Sequence, residues 1–281
     1  MGDSLEAAIV SFTTGLFFLA VIALFRKDVR SGFRQIFSAV NLKLLPSWRL
    51  GAGALGASFV AMQTYAVPIA GVALFTVASL AGQTGISLWV DHVGLAGGSR
   101  VIITKRRVIA AIITILAVVV STWDRFTISN FSLLTIVLAV FSGTWVGVQR
   151  ALNGQINSYS KASFATSLLN FITGTTFLLF LLLLRTLFTD HSVMNFTSGP
   201  WWMFLGGSIG VIYIALSAHI VQYVGVLEFT LFSVGGMLVG SLLIDIIVPT
   251  KGTIISGFLI AGILLTYLGV IANGQSRFSR K

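Results

Sequence analysis

Long apolar runs separated by short polar clusters dominate the chain, and the element they predict is a membrane-crossing helix of about 20 mostly apolar residues. Such runs fall near residues 5–25, 50–68, 72–92, 107–123, 132–152, 163–185, 201–222, 226–248 and 254–273, so nine spans are expected. From Leu50 to Val90 no residue is charged, and these 41 residues are too many for one helix. At 1.5 Å per residue a single helix would overshoot about 30 Å of hydrocarbon, which predicts a hairpin. Pro68 to Gly71 supplies its break, and Gln222 to Gly225 is the matching break between the seventh and eighth spans.

Composition agrees with that pattern. The 281 residues are 56% hydrophobic and only 9% charged, against roughly 25% charge in a soluble domain. A soluble globule is excluded, and the bilayer is the first partner.

Eighteen Lys and Arg against eight Asp and Glu give a net charge of +10. Counted on alternate sides of nine spans, fifteen basic residues share one side, from Arg26, Lys27, Arg30 and Arg34 through Arg100, Arg107, Arg150 and Lys161 to Lys281. Arg125, Arg185 and Lys251 are left for the other. That bias predicts a cytoplasmic carboxyl terminus and an amino terminus on the opposite face of a bacterial-type inner membrane. The basic residues are scattered among loops and not gathered with aromatics on one face, which argues against nucleic-acid binding.

The chain has no cysteine and three histidines, so neither disulfides nor a conventional zinc site is expected. HExxH, Walker A and GxSxG motifs are absent. No enzyme and no cofactor are read here. The amino terminus lacks a basic n-region and its apolar run ends at Arg26-Lys27, so it reads as a retained span and not a cleaved signal.

Sliding the chain by 154 positions against itself gives 14 identities over residues 48–95. They include Trp48/Trp202, Gly53/Gly207, Gly71-Val72/Gly225-Val226, Thr76/Thr230, Ser79/Ser233, Gly82/Gly236, Ser87/Ser241 and Asp91/Asp245. At an offset of 159, Phe12 and Gly15 pair with Phe171 and Gly174. Five spans separate each element from its twin, and an odd number turns the second copy upside down, as in secondary transporters.

The expected fold is therefore an all-α polytopic membrane protein with an inverted five-helix repeat, residues 1–125 and 126–281. The second copy starts with the span near 132–152, whereas Met1 aligns with Ser160. A first helix of the first repeat is expected ahead of Met1.

These motifs resemble the drug/metabolite transporter superfamily, in particular its YdcZ-like branch. They are Gln149 and Asn153; Phe171 and Gly174; Trp201-Trp202 with Gly206-Gly207; and Gly82-Gln83, Ser87, Asp91-His92 and Gly94. The resemblance covers about residues 4–274 and implies small-molecule transport without naming a solute. The second half departs from it at Met237, Ile246 and Val248, where the first has Gln83, His92 and Gly94.

Candidate chemistry lies in the polar residues of the apolar runs. Gln83, Gln149, Asn153 and Asn170 are candidate substrate contacts, with interhelical bonding as the alternative. Asp91, His92, Asp245 and Glu228 are candidate gating or proton-coupling groups, with loop capping at the interface as the alternative. GxxxG pairs at Gly143/Gly147, Gly206/Gly210 and Gly236/Gly240 read as close helix packing.

The function read from all this is secondary transport of a small organic metabolite or drug-like solute by alternating access, with proton coupling an option. The alternatives are a lipophilic-cation exporter and a non-transporting membrane scaffold or partner subunit. A homodimer is compatible with each.

Overall fold

The computed structural model describes residues 4–70, 72–98, 100–125, 133–188, 204–247 and 257–278, and the regular structure among them is helical. In chain order the helices are α1 (Ser4–Phe25), α2 (Lys27–Asn41), α3 (Ala52–Ala70), α4 (Val72–Val93), α5 (Lys105–Ser121), α6 (Leu133–Ser160), α7 (Ser163–Phe188), α8 (Leu205–Val224), α9 (Val226–Ile247) and α10 (Gly257–Phe278). Ser4–Phe25, Ser47–Ile69, Leu133–Ser160, Ser163–Phe188 and Leu205–Val224 have the length and hydropathy to cross a membrane. Val226–Gly240 and Gly257–Asn273 are shorter apolar stretches. The protein is an all-α, multi-helix membrane protein. Trp201-Trp202 of the expected motif lie outside the described residues.

Two features differ from the apolar-run reading. Residues 27–41, expected as charged loop, form α2, whose Val29, Gly32, Ile36 and Ala39 are buried while Lys27, Arg30 and Arg34 are exposed. Spacings of three and four put the apolar residues on one stripe, so a short helix with a basic face outweighs an extended loop. At its start Arg26 pairs with Asp28, and the guanidinium holds the Asp28 carboxyl below the usual carboxylate range. The second difference is α6, which continues eight residues past the expected end near 152. Its polar turns find partners on a neighbouring helix and need no water.

Packing divides the chain into two compact units. Unit one comprises Met1–Tyr65, Leu95–Gly98 and Val148–Tyr223; unit two comprises Ala66–Gly94, Ser99–Gly147 and Val224–Lys281.

In unit one, Ala8, Ile9, Phe12 and Leu19 of α1 pack with Ala57, Phe171, Leu178 and Val211. Glycines set how closely these helices approach. A Cβ at Gly15 would strike the Phe171 ring, and one at Gly174 would strike the Phe12 ring. The two rings lie 5.1 Å apart, centroid to centroid. Gly53 lies against Asn170, Thr173 and Gly174 of α7, and Gly207 lies against Ser11, Thr14 and Gly15 of α1. Lipid gives helices no hydrophobic drive to associate, so dispersion across such close seams carries the packing.

Unit two uses the same device. Gly82 of α4 meets the Val140 carbonyl of α6, and Gly143 of α6 meets the Ser79 carbonyl of α4. Gly262 and Gly269 of α10 seat against Ala117, Ser121 and Thr114 of α5. Leu80, Val118 and Val234 fill the junction of α4, α5 and α9.

Overpacking a close seam costs about 1–3 kcal/mol. Gly53→Ala and Gly207→Ala are each expected to lower the melting temperature of the detergent-solubilised protein. Gly51→Ala, where a Cβ meets nothing within 4 Å, should leave it unchanged; equal melting of all three variants would refute the seam account.

Candidate functional site

Polar side chains concentrate at two places, one in each unit. In unit two, α4 carries Gln83, Ser87 and Asp91 at intervals of four, which puts them on one face. All three are buried, Asp91 being 3% exposed and Gln83 4%. The Asp91 carboxylate accepts hydrogen bonds from the backbone N–H of Val226 (2.7 Å) and Leu227 (3.1 Å), the first amides of α9. The positive end of the α9 dipole reinforces this seat for a negative charge.

Arg107 of α5, buried to the same degree, donates its Nη2 to the same carboxylate at 2.5 Å. Thr104 caps α5 by accepting from the Arg107 N–H. Gly225 adopts φ +92°, and a Cβ there would stand 3.0 Å from Asp91 Oδ2. Glycine is required twice over, for the left-handed turn and for room beside the carboxylate.

One turn along α4, the Ser87 hydroxyl donates to the Gln83 carbonyl and meets the Thr230 hydroxyl of α9 at 3.3 Å. Among the buried polar atoms of this unit, Gln83 Oε1 and Arg107 Nη1 make no hydrogen bond with the described residues. An unsatisfied buried polar atom costs about 1–3 kcal/mol, more when charged. Gln83 thus offers an acceptor, and Arg107 a donor, to any polar group that enters.

In unit one, Gln149 Nε2 donates to Asn170 Oδ1 at 3.2 Å, and Asn170 Nδ2 donates to Asn153 Oδ1 at 3.0 Å. All three amides are buried. The chain continues down the α6–α7 seam, where Thr166 donates to Asn157 Oδ1 and meets the Ser160 hydroxyl. Gly56 of α3 lies directly on the Gln149 carboxamide, where any side chain would displace it. Nearby on α6, Arg150 donates to the Tyr213 hydroxyl and Arg49 to Gln155 Oε1.

Three of the four expected contacts, Gln149, Asn153 and Asn170, therefore form one network, while Gln83 belongs to the other unit. Among the expected gating groups Asp91 is buried and ion-paired, His92 is exposed and Glu228 is half-buried on α9. Asp245 lies in the last turns of α9, and its side chain falls outside the described residues.

The sequence of the family described as "Putative inner membrane exporter, YdcZ" matches residues 1–120 and again residues 134–272. The chain belongs to the YdcZ-like branch of the drug/metabolite transporter superfamily. As a member of a transporter family it is a transport protein and not an enzyme. No curated protein matches the chain. A solved structure titled "Crystal structure of protein" is similar to it at a TM-score of 0.57 and 15% identity, covering 98% of this chain and 99% of the other. At that identity the likeness speaks for the fold alone.

Arg107 is the residue of this YdcZ-family chain that sequence reasoning missed. It stands among Lys105, Arg106 and Arg107 at the start of a helix, and a basic cluster there reads as a flank facing lipid headgroups. The signal available was helical phase, since Arg107 lies on the stripe of Ala110, Ala111 and Thr114, all buried.

Removing one partner of a buried ion pair costs about 3–5 kcal/mol, whereas replacing both is often close to neutral. Arg107→Met is therefore expected to destabilise the YdcZ-family protein strongly in thermal unfolding, and the double variant Asp91→Asn/Arg107→Met to recover a large part. A double variant as unstable as the sum of its singles would refute the coupling.

Proposed function

We propose that this chain is a secondary transporter of a bacterial inner membrane. It moves a small polar organic solute by alternating access between two inverted five-helix repeats, residues 1–125 and 126–281. The observation that carries the reading is Gln83 Oε1, a buried acceptor near the middle of α4 without a partner among the described residues. A carboxamide kept there against its desolvation cost is best explained by a solute that donates to it.

Several facts support the inverted relation. The family matches the chain twice. Phe12 fits against Gly174 as Phe171 fits against Gly15. Gly53 sits on Asn170 and Thr173 as its register mate Gly207 sits on Ser11 and Thr14. A spacing of 159 relates Ser11 to Asn170 and Thr14 to Thr173, so the reciprocity extends along both helices.

Asp91 acts as a latch in this reading, holding the first turn of α9 to α4 and α5 while its carboxylate is engaged. Asp245, its register mate, serves the opposite-facing state, and Glu228 and His92 are the remaining coupling groups. Gln149, Asn153 and Asn170 present a second set of solute contacts. The family's description as an exporter favours outward movement, and the basic-residue bias favours a cytoplasmic carboxyl terminus. No nucleotide-binding motif is present in the sequence, so an ion or solute gradient supplies the energy.

Counterflow in proteoliposomes, with labelled amines, amino acids and nucleosides as the panel, tests this. For a transported solute, Gln83→Leu should lower kcat/KM about ten-fold, the equivalent of one buried hydrogen bond of about 1.4 kcal/mol. An unchanged kcat/KM removes Gln83 from the path.

A further inference from the structure

Between α1 and α3 the chain carries six bases, Arg26, Lys27, Arg30, Arg34, Lys43 and Arg49, and a single acid, Asp28. Arg26 holds both carboxylate oxygens of Asp28, at 3.0 and 2.5 Å, and that pair is neutral. Arg30 Nη1 donates to the Ala23 and Leu24 carbonyls at 2.7 and 2.6 Å, which closes the carboxyl end of α1 and leaves the charge in place. Lys27, Arg34 and Lys43 are exposed and have no carboxylate in ion-pair range among the described residues.

Helical phase sorts these groups. Lys27, Arg30, Arg34 and Phe37 follow one another at spacings of three and four, so they form a stripe of their own on α2 beside the buried stripe of Val29, Gly32, Ile36 and Ala39. The buried stripe rests on the α6–α7 turn, with Gly32 against the Ser160 carbonyl and Ala162, and Val29 packed with Ala162 and Ala165. The other stripe ends on an aromatic ring, Phe37 being 43% exposed, and just beyond it Leu42 and Leu44, 67% and 58% exposed, flank Lys43. Depth follows from α1, whose 22 residues make a helix of about 33 Å that uses up about 30 Å of hydrocarbon. One residue later α2 begins, at headgroup level. A soluble anionic partner would use the bases and leave the apolar side chains in water. A phospholipid takes both, phosphate above and acyl chain below.

We infer that the stripe of Lys27, Arg30, Arg34 and Phe37, with Lys43, is a binding site for a net-anionic membrane phospholipid of the phosphatidylglycerol kind. The bases take the phosphate and Phe37 the first acyl carbons. A zwitterionic headgroup suits the site poorly, because its own ammonium group competes with the bases for the phosphate and is repelled by them. The site lies within unit one, and it does not rest on the transport reading.

The test titrates the purified full chain in detergent with phosphatidylglycerol, or with phosphatidylcholine of the same acyl chains, and reads the dissociation constant of the tightest-bound lipid by native mass spectrometry. Phosphatidylglycerol should bind about ten-fold more tightly. Lys27→Gln/Arg34→Gln should weaken it about 30-fold, since each base near an anionic surface contributes about five-fold. The charge-preserving Lys27→Arg/Arg34→Lys should retain it, and Phe37→Ser, which keeps every charge, should weaken it. Arg100→Gln/Lys105→Gln removes the same charge from exposed residues of unit two and should leave the affinity unchanged. Equal affinity for the two lipids, an equal loss from the unit-two pair, or displacement of the lipid by inorganic phosphate would each overturn the inference. The readout needs no flux, so it stands or falls separately from the transport assay.

Discussion

A buried helix start needs hydrogen-bond acceptors that the helix itself cannot supply, and the structure depends most on how that need is met at the start of α9. The first amides of a helix have no carbonyl of their own to bond, and a buried unsatisfied N–H costs about 1–3 kcal/mol. Asp91 supplies the missing acceptor to Val226 and Leu227. A buried carboxylate is itself costly, and Arg107 offsets its charge. Gly225 completes the arrangement by making the turn and leaving room for the carboxylate. One acid thus joins α4, α5 and α9, and removing any participant leaves another one buried and unpaired.

The same constraint explains why the remaining polar residues come in rows. The amides of α6 recur at four-residue intervals from Gln149 through Asn153 to Asn157 and meet Asn170 and Thr166 of α7. Glycine does the complementary work. At Gly53 and Gly56 it brings α3 close enough to lie on the Asn170 carbonyl and the Gln149 carboxamide. Small residues and amides belong to one design, because a carboxamide can be covered only where the facing helix gives way.

Much of the fold was legible because lipid makes apolar length a strong signal. Each expected span coincides with a helix, and the glycines of the self-match stood out because Gly53, Gly82 and Gly207 sit on facing backbone where a Cβ has no room. α2 was hidden because an amphipathic stripe of 15 residues between two long apolar runs looks like charged loop. The far end of α6 was hidden for a related reason: Gln149, Asn153 and Asn157 suggest approach to water until their α7 partners are known. Asp91 was recognisable as an unusual acid, but choosing Arg107 from neighbouring Lys105 and Arg106 needed the packing of α5.

The register comparison of α4 with α9 also separates what the scaffold requires from what the chemistry requires. Four positions of the register are the same in both helices: Thr76 and Thr230, Ser79 and Ser233, Gly82 and Gly236, Asp91 and Asp245. The position whose Oε1 accepts no hydrogen bond from the described residues differs, Gln83 on α4 against Met237 on α9. A polar acceptor in lipid is a liability wherever it has no task, and methionine relieves it in one half. In the proposed reading that asymmetry favours Gln83 as a solute contact, since packing alone gives no reason to keep the amide on one helix only.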